Sequence, residues 1–152
     1  MDSTYFLLHA PGAPGLRWLG LGPGLCPTRG LAKLQHLLDK NTSWAQGRSY
    51  KDLKRMLHAS ASVVSLWQGK RLVGFGRASS DCVFRAVLWD VVISVDLQGQ
   101  GLGRQLVQTM LNTPQLTSVK RVYLMTTNGA GFYLQLGFER VENQVLMKLE
   151  RT

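Results

Sequence analysis

Cysteine is nearly absent: Cys26 and Cys82 are the only two in 152 residues, with no Cys-x-x-Cys and no histidine pair beside either. Neither a disulfide framework nor a zinc site is therefore indicated, and no metal is expected. His9, His36 and His58 are scattered and read as structural or surface residues. Long apolar runs are missing as well, since none approaches the ~20 residues that span a bilayer. The start, Met1-Asp2-Ser3-Thr4, carries an acid where a secretory leader is positive, so a cytoplasmic chain with no membrane attachment is expected. Acids are the scarce charge class: 9 Asp and Glu face 18 Lys and Arg, a formal net charge of +9. That excess favours anionic ligands. Yet no basic run exceeds two residues, and no interleaving of aromatic and basic residues marks a nucleic-acid binder. Lys51, Lys54 and Arg55 form the densest group and read as the solvated face of a helix, so a basic groove would have to be assembled in three dimensions. With 45% apolar and only 18% charged residues, the chain can bury a real core as one domain over 1–152.

The pattern along the chain is mixed α/β. A first strand is expected at about 4–9, followed by a long connection over 10–30, where Pro11, Pro14, Pro23 and Pro27 fall among glycines. Thr28 is a candidate cap for a helix carrying Leu31, Leu34 and Leu38 to about Lys40, and Ser49-x-x-Asp52 resembles a capping box for the next. Ser62–Gln68 and Arg71–Ala78 flank Gly69-Lys70 as a hairpin. The run Val83–Val95 is apolar almost throughout, which marks a central strand covered on both faces. A helix follows to Pro114, then a strand over Val119–Thr127, a short helix with Phe132, Tyr133 and Leu136 closed by Gly137, and two short strands at Phe138–Val141 and Gln144–Leu149.

Between the central strand and its following helix stands Gln98-Gly99-Gln100-Gly101-Leu102-Gly103-Arg104. Glycine admits positive φ and lets a ligand approach the backbone, and a helix start offers unpaired N–H groups, so this bend suits a pyrophosphate. A Walker loop is absent, and a Rossmann fingerprint would need glycine at 104, which is Arg. A bare turn with no ligand is the alternative left open by the bend alone.

Gln-x-x-Gly-x-Gly, with Phe132-Tyr133-Leu134-Gln135-Leu136-Gly137-Phe138 thirty residues on, resembles the GCN5-related N-acetyltransferase superfamily. The element order matches from Thr28 onward. The resemblance implies a central mixed sheet of about six to seven strands, splayed between the fourth and fifth and flanked by about four helices. It implies acetyl-CoA as cosubstrate, its pyrophosphate on Gln98 to Arg104 and its pantetheine arm along Val91, Val92 and Ile93. Trp89-Asp90-Val91-Val92, Ser43-Trp44-Ala45, Gly47-Arg48-Ser49 and Tyr123-Leu124-Met125-Thr126-Thr127 are similar to the cyanobacterial and plastid group that includes plant serotonin N-acetyltransferases. Val95 replaces a proline of many relatives, and Thr126 stands where relatives carry Asn or Asp, so its cofactor or acceptor contact departs from the pattern.

Acetyl transfer to an amine needs a proton acceptor for the amine and a proton donor for the leaving thiolate. Asp90, flanked on its strand face by Leu88 and Val92, is expected to be a buried carboxylate with a raised pKa, the base. An architectural Asp90 bonded to backbone N–H groups is its alternative. Tyr133, protonated at neutral pH, is the expected acid, with a core packing role as its alternative. Backbone N–H near Val91 or Val92 could polarise the thioester. No cysteine lies in either motif, so direct transfer in a ternary complex is expected. Trp44 and Trp89 are the expected acceptor walls, with Trp67 and Phe84 as further aromatic candidates and core packing as the alternative for each. The acceptor reads as an arylalkylamine such as serotonin or tryptamine, or alternatively a protein N-terminus or lysine. A non-catalytic acyl-CoA-binding module is the reading from another class, and edge pairing of the last strands would allow a homodimer.

Overall fold

The computed structural model describes residues 3–151, so the acidic start at Asp2 lies outside the described residues. Strand β1 (Thr4–Leu8) is followed by α1 (Pro14–Leu19), α2 (Gly30–Asn41) and α3 (Tyr50–His58). Then come β2 (Ser62–Gln68), β3 (Arg71–Ser80), β4 (Arg85–Ile93), α4 (Leu102–Leu111), β5 (Arg121–Leu124) and α5 (Ala130–Gln135). Short 3-10 turns lie at Pro23–Leu25 and Val95–Leu97.

The five strands form one sheet in sequence order. Strands β1 to β4 are antiparallel meanders, and β5 joins β4 in parallel. Leu34, Leu37 and Leu38 of α2, with Leu53 and Leu57 of α3, recur at helical spacing and bury against Trp67, Phe75 and Val92 on one face. Leu102, Leu106, Val107 and Met110 of α4 cover Val64, Leu66, Val73 and Ile93 on the other. Both faces are thus covered, which accounts for the near-continuous apolarity of the central strand.

Ser49 caps α3 as its spacing predicts, accepting the Asp52 N–H at 3.1 Å. The expectation of a purely irregular 10–30 is corrected: Pro14 takes the first turn of α1, where its missing N–H costs nothing, and Gly20 ends it at φ 60°. Thr28 does not cap α2. Arg29 occupies that position in the left-handed region, φ 58°, while the Thr28 hydroxyl donates to the Gly20 carbonyl. Strand β4 starts at Arg85, not Val83, because the Asp81 carboxylate gathers the N–H groups of Val83, Phe84 and Arg85 into a turn.

Among the described residues the sheet has five strands, not six or seven, and five helices, two of them six residues long. The two expected C-terminal strands are the missing ones. Residues 138–151 make no ladder, and Val145, Met147 and Leu149 stand 85%, 87% and 82% exposed. Alternating apolarity gains stability as a strand only beside a partner, and these residues have none here.

The feature that positions the site is an early parting of β4 from β5. Their pairing runs only from Arg85↔Arg121 to Leu88↔Leu124. Beyond it β4 continues to Ile93 on β3 alone, so the expected splay between the fourth and fifth strands is present. A bulge sits at the parting: Arg77 faces Trp89 and Phe75 faces Val92, leaving Asp90 and Val91 opposite Gly76, with Asp90 at φ 54°.

Candidate active site

Two groups of residues flank the gap. On the α4 side, Gly99 and Gly101 both adopt φ 81°, and a side chain at either would meet nothing within 4 Å. The bend is therefore open above its backbone, and Gly101 leads directly into α4 with the N–H groups of its first turn unpaired and Arg104 exposed beside them. Gln98 does not reach outward: its amide donates to the Ile93 carbonyl at 3.0 Å and ties the bend to the end of β4. Gly103 serves packing, because Phe132 of α5 lies 3.4 Å from where its Cβ would be.

That contact seats α5 against the start of α4, with Tyr133 next to Phe132 on the same helix. The Tyr133 ring meets Phe132 and Phe138 edge to face at 4.9 and 5.6 Å. Burial raises the phenol pKa above its ordinary value, so it is fully protonated at neutral pH. Thr126 accepts the Gly129 N–H at 2.9 Å and so holds the turn into α5. Val95 uses an N–H that a proline would lack: it donates to Asn41 Oδ1 of α2 at 2.9 Å.

On the α2–α3 side stands Asp90, its side chain 3% exposed. The bulge reverses the alternation of β4, so Asp90 does not share the face of Leu88. Instead Arg48 binds it with both Nη atoms at 2.9 and 3.3 Å, Arg77 Nε donates at 2.8 Å, and Trp44 Nε1 donates at 3.1 Å. Burial is the largest single influence on this carboxyl and pushes it up. The hydrogen bonds and charges of Arg48 and Arg77 together outweigh burial and hold it below the ordinary carboxylate range. The expected raised pKa is thus corrected: two guanidiniums make Asp90 a weak proton acceptor. Neither arginine stood out in the sequence as a site residue. The legible signal was Arg77 itself, a cation inside buried β3 facing the one acid inside buried β4.

Trp89 points its Nε1 to Ser79 Oγ at 2.9 Å, with the Arg77 guanidinium 5.9 Å from its ring. The bulge thus brings Trp89 and Asp90 to one neighbourhood despite their adjacency on a strand. Trp44 is 59% exposed and available as a wall. Trp67 is not: it is fully buried and bonds Ser65 Oγ, which also bonds His9. Phe84 lies at the far end of β4, beneath Lys120, and is likewise removed from the site. Cys26 and Cys82 are free and exposed, outside both groups.

An antiparallel meander joined to a parallel fifth strand, with a glycine bend leading into α4, matches the arrangement expected of an N-acetyltransferase fold. The profile of the Acetyltransferase (GNAT) family matches residues 31–138, and the chain belongs to that family. It is similar to the uncharacterized N-acetyltransferase ycf52 of Pyropia yezoensis, 36% identical over 113 residues that cover 71% of this chain and 64% of that protein. The chain thus spans under two thirds of that relative's length. The chloroplastic GCN5-related N-acetyltransferase 2 of Arabidopsis thaliana is 38% identical over 73 residues, covering 47% of this chain and 28% of that protein. In fold, a GNAT-family acetyltransferase from Streptococcus pneumoniae superposes with a TM-score of 0.73 at 18% identity, covering 99% of this chain and 100% of that one. Among the described residues no helix is long and apolar enough to cross a membrane, and no cluster of metal-ligating side chains occurs.

Proposed function

We propose that the protein is an acetyl-CoA-dependent N-acetyltransferase that passes acetyl to a primary amine by direct attack in a ternary complex. The observation that carries this reading is the open bend at Gly99 and Gly101 joined to a half of β4 that has lost its β5 neighbour. The bend offers N–H groups and a helix dipole to a diphosphate, with Gln100, Leu102 and Arg104 around it. The released edge of Val91, Val92 and Ile93 offers peptide groups to the pantetheine arm and the thioester carbonyl. Tyr133, protonated and carried on the helix whose Phe132 packs on Gly103, gives its proton to the departing thiolate. Thr126 acts by fixing the turn that aims Tyr133.

Asp90 has a different task from the one its burial suggested. Its two oxygens anchor Arg48, Arg77 and Trp44, and so fix the α2–α3 loop over the acceptor side. The amine then loses its proton to water rather than to this carboxylate. Trp44 and Trp89 offer flat apolar surface for an arylalkylamine of the serotonin or tryptamine kind, the acceptor we favour. A protein lysine or N-terminus is the second reading, favoured by the similarity to a soybean protein named Histone acetyltransferase TAP1, 39% identical over 71 residues that cover 31% of it. The location is taken as cytoplasmic, and the exposed apolar residues of 138–151 support a homodimer that covers them.

Free thiol released from acetyl-CoA on a panel of arylalkylamines and lysine peptides tests the proposal. Release with tryptamine supports it, release with peptides alone selects the second reading, and acetyl-CoA binding without release for any amine leaves an acyl-CoA-binding module.

A further inference from the structure

Away from the glycine bend, a groove of about 820 Å³ opens between α2, the turn joining β2 to β3, and the turn Val95–Leu97. Its walls bring together Arg29, Lys33 and Lys40 from one stretch of the chain and Lys70 and Arg71 from another, with Asp96 as the one carboxylate. Asp96 is already committed: it accepts from Arg71 at 2.7 and 2.8 Å and from Ser94 Oγ at 2.5 Å. Among the described residues no carboxylate lies within 4.0 Å of the other four cations.

This crowding is built into the fold. Arg29, at the N-cap of α2, and Lys33 are one helical turn apart, a like-charge spacing that disfavours the helix start unless an anion answers it. Lys33 is half buried, its ammonium 5.7 Å from the Trp67 ring and donating to the Lys70 carbonyl at 2.5 Å. Burial first, then the neighbouring charges of Lys70 and Arg29, lower its pKa from the ordinary lysine value. The apolar part of the lining is Leu37 and Leu72, both buried, with Ala32 and Val95.

Converging cations with an apolar part of the lining suit a ligand with several negative charges and a flat body, and the volume falls within the range of small-molecule sites. A nucleic-acid duplex would call for an open stripe instead. The groove lies against α2 on one face of the sheet and the bend feeds α4 on the other, the turn Val95–Leu97 standing between them. We propose that this groove binds a small molecule carrying two or more phosphates on an aromatic ring system, of the nucleoside polyphosphate class.

Calorimetric titration with ATP at low salt tests it, with adenosine and inorganic triphosphate as partial ligands. The expected result is binding in the range of tens of micromolar for ATP and about tenfold weaker or worse for either part alone. Lys40→Glu with Lys70→Glu, both exposed at the rim, should weaken ATP by about tenfold or more while leaving acetyl-CoA affinity within about twofold. Lys33→Gln gives a second reading of the same loss with no charge reversal. Three outcomes overturn the proposal: no heat with ATP up to about 1 mM, equal ATP affinity in wild type and rim variant, or short duplex RNA bound more tightly than ATP.

Discussion

Asp90→Asn separates the two roles available to that residue. The substitution keeps shape and removes one negative charge from between Arg48 and Arg77, whose side chains are 29% and 17% exposed. Breaking a buried pair by removing one partner costs about 3–5 kcal/mol when the remaining charge is dry. Both arginines retain some water and the amide still accepts hydrogen bonds, so about 2–3 kcal/mol is expected here. For a chain of this size that lowers the thermal midpoint by about 5–10 °C. The pH dependence carries the decision. Because the folded pKa of Asp90 is below its unfolded value, its contribution is fully present above the unfolded pKa near 4 and fades only as pH falls through the folded value. The difference between wild type and variant should therefore be flat from pH 8 to about 5 and shrink below about 4. Urea unfolding across that range reads it. A difference that changes between pH 5 and 8 would mean a raised carboxyl pKa and refute the anchoring role, restoring Asp90 as the base.

Tyr133→Phe should lower turnover by about 10²-fold or more while acetyl-CoA affinity hardly moves, since only a proton donor is lost; equal losses in both would assign the ring to packing. Gly101→Val places a β-branched residue at φ 81°, and calorimetry should show acetyl-CoA affinity falling by about tenfold or more, with wild-type affinity contradicting the bend's role. His9, bonded to Ser65 and lowered by burial to about 4, disfavours its own protonation in the fold. Its contribution is intact above the unfolded pKa of 6.5 and is lost as pH falls toward 4. Wild type should thus lose up to about 2 kcal/mol from pH 7 to 5 relative to His9→Gln, and parallel urea midpoints would count against it.

The periodic parts of the fold were legible because burial writes directly into spacing. The leucines of α2 and α3, the hairpin at Gly69-Lys70 and the doubly covered β4 follow from local pattern. What sequence alone did not yield depends on long-range partners. The helix at Pro14 hides among glycines, because proline and glycine mark its ends as readily as they mark a loop. The C-terminal alternation reads as strands, but a ladder needs a neighbour that pattern cannot supply. At the site, the bend and Tyr133 were legible as motifs. The pKa of Asp90 was not, since it is decided by Arg48, 42 positions away in the chain, and by Arg77 across a bulge.

The claim on which the rest turns is that the bend grips the diphosphate of acetyl-CoA. Amide NMR of the protein titrated with acetyl-CoA tests it most directly. The account predicts that the N–H signals of Gly99, Gly101 and Gly103 move first and furthest. Signals that stay still there, while those lining the groove between α2 and the β2–β3 turn move instead, would contradict it.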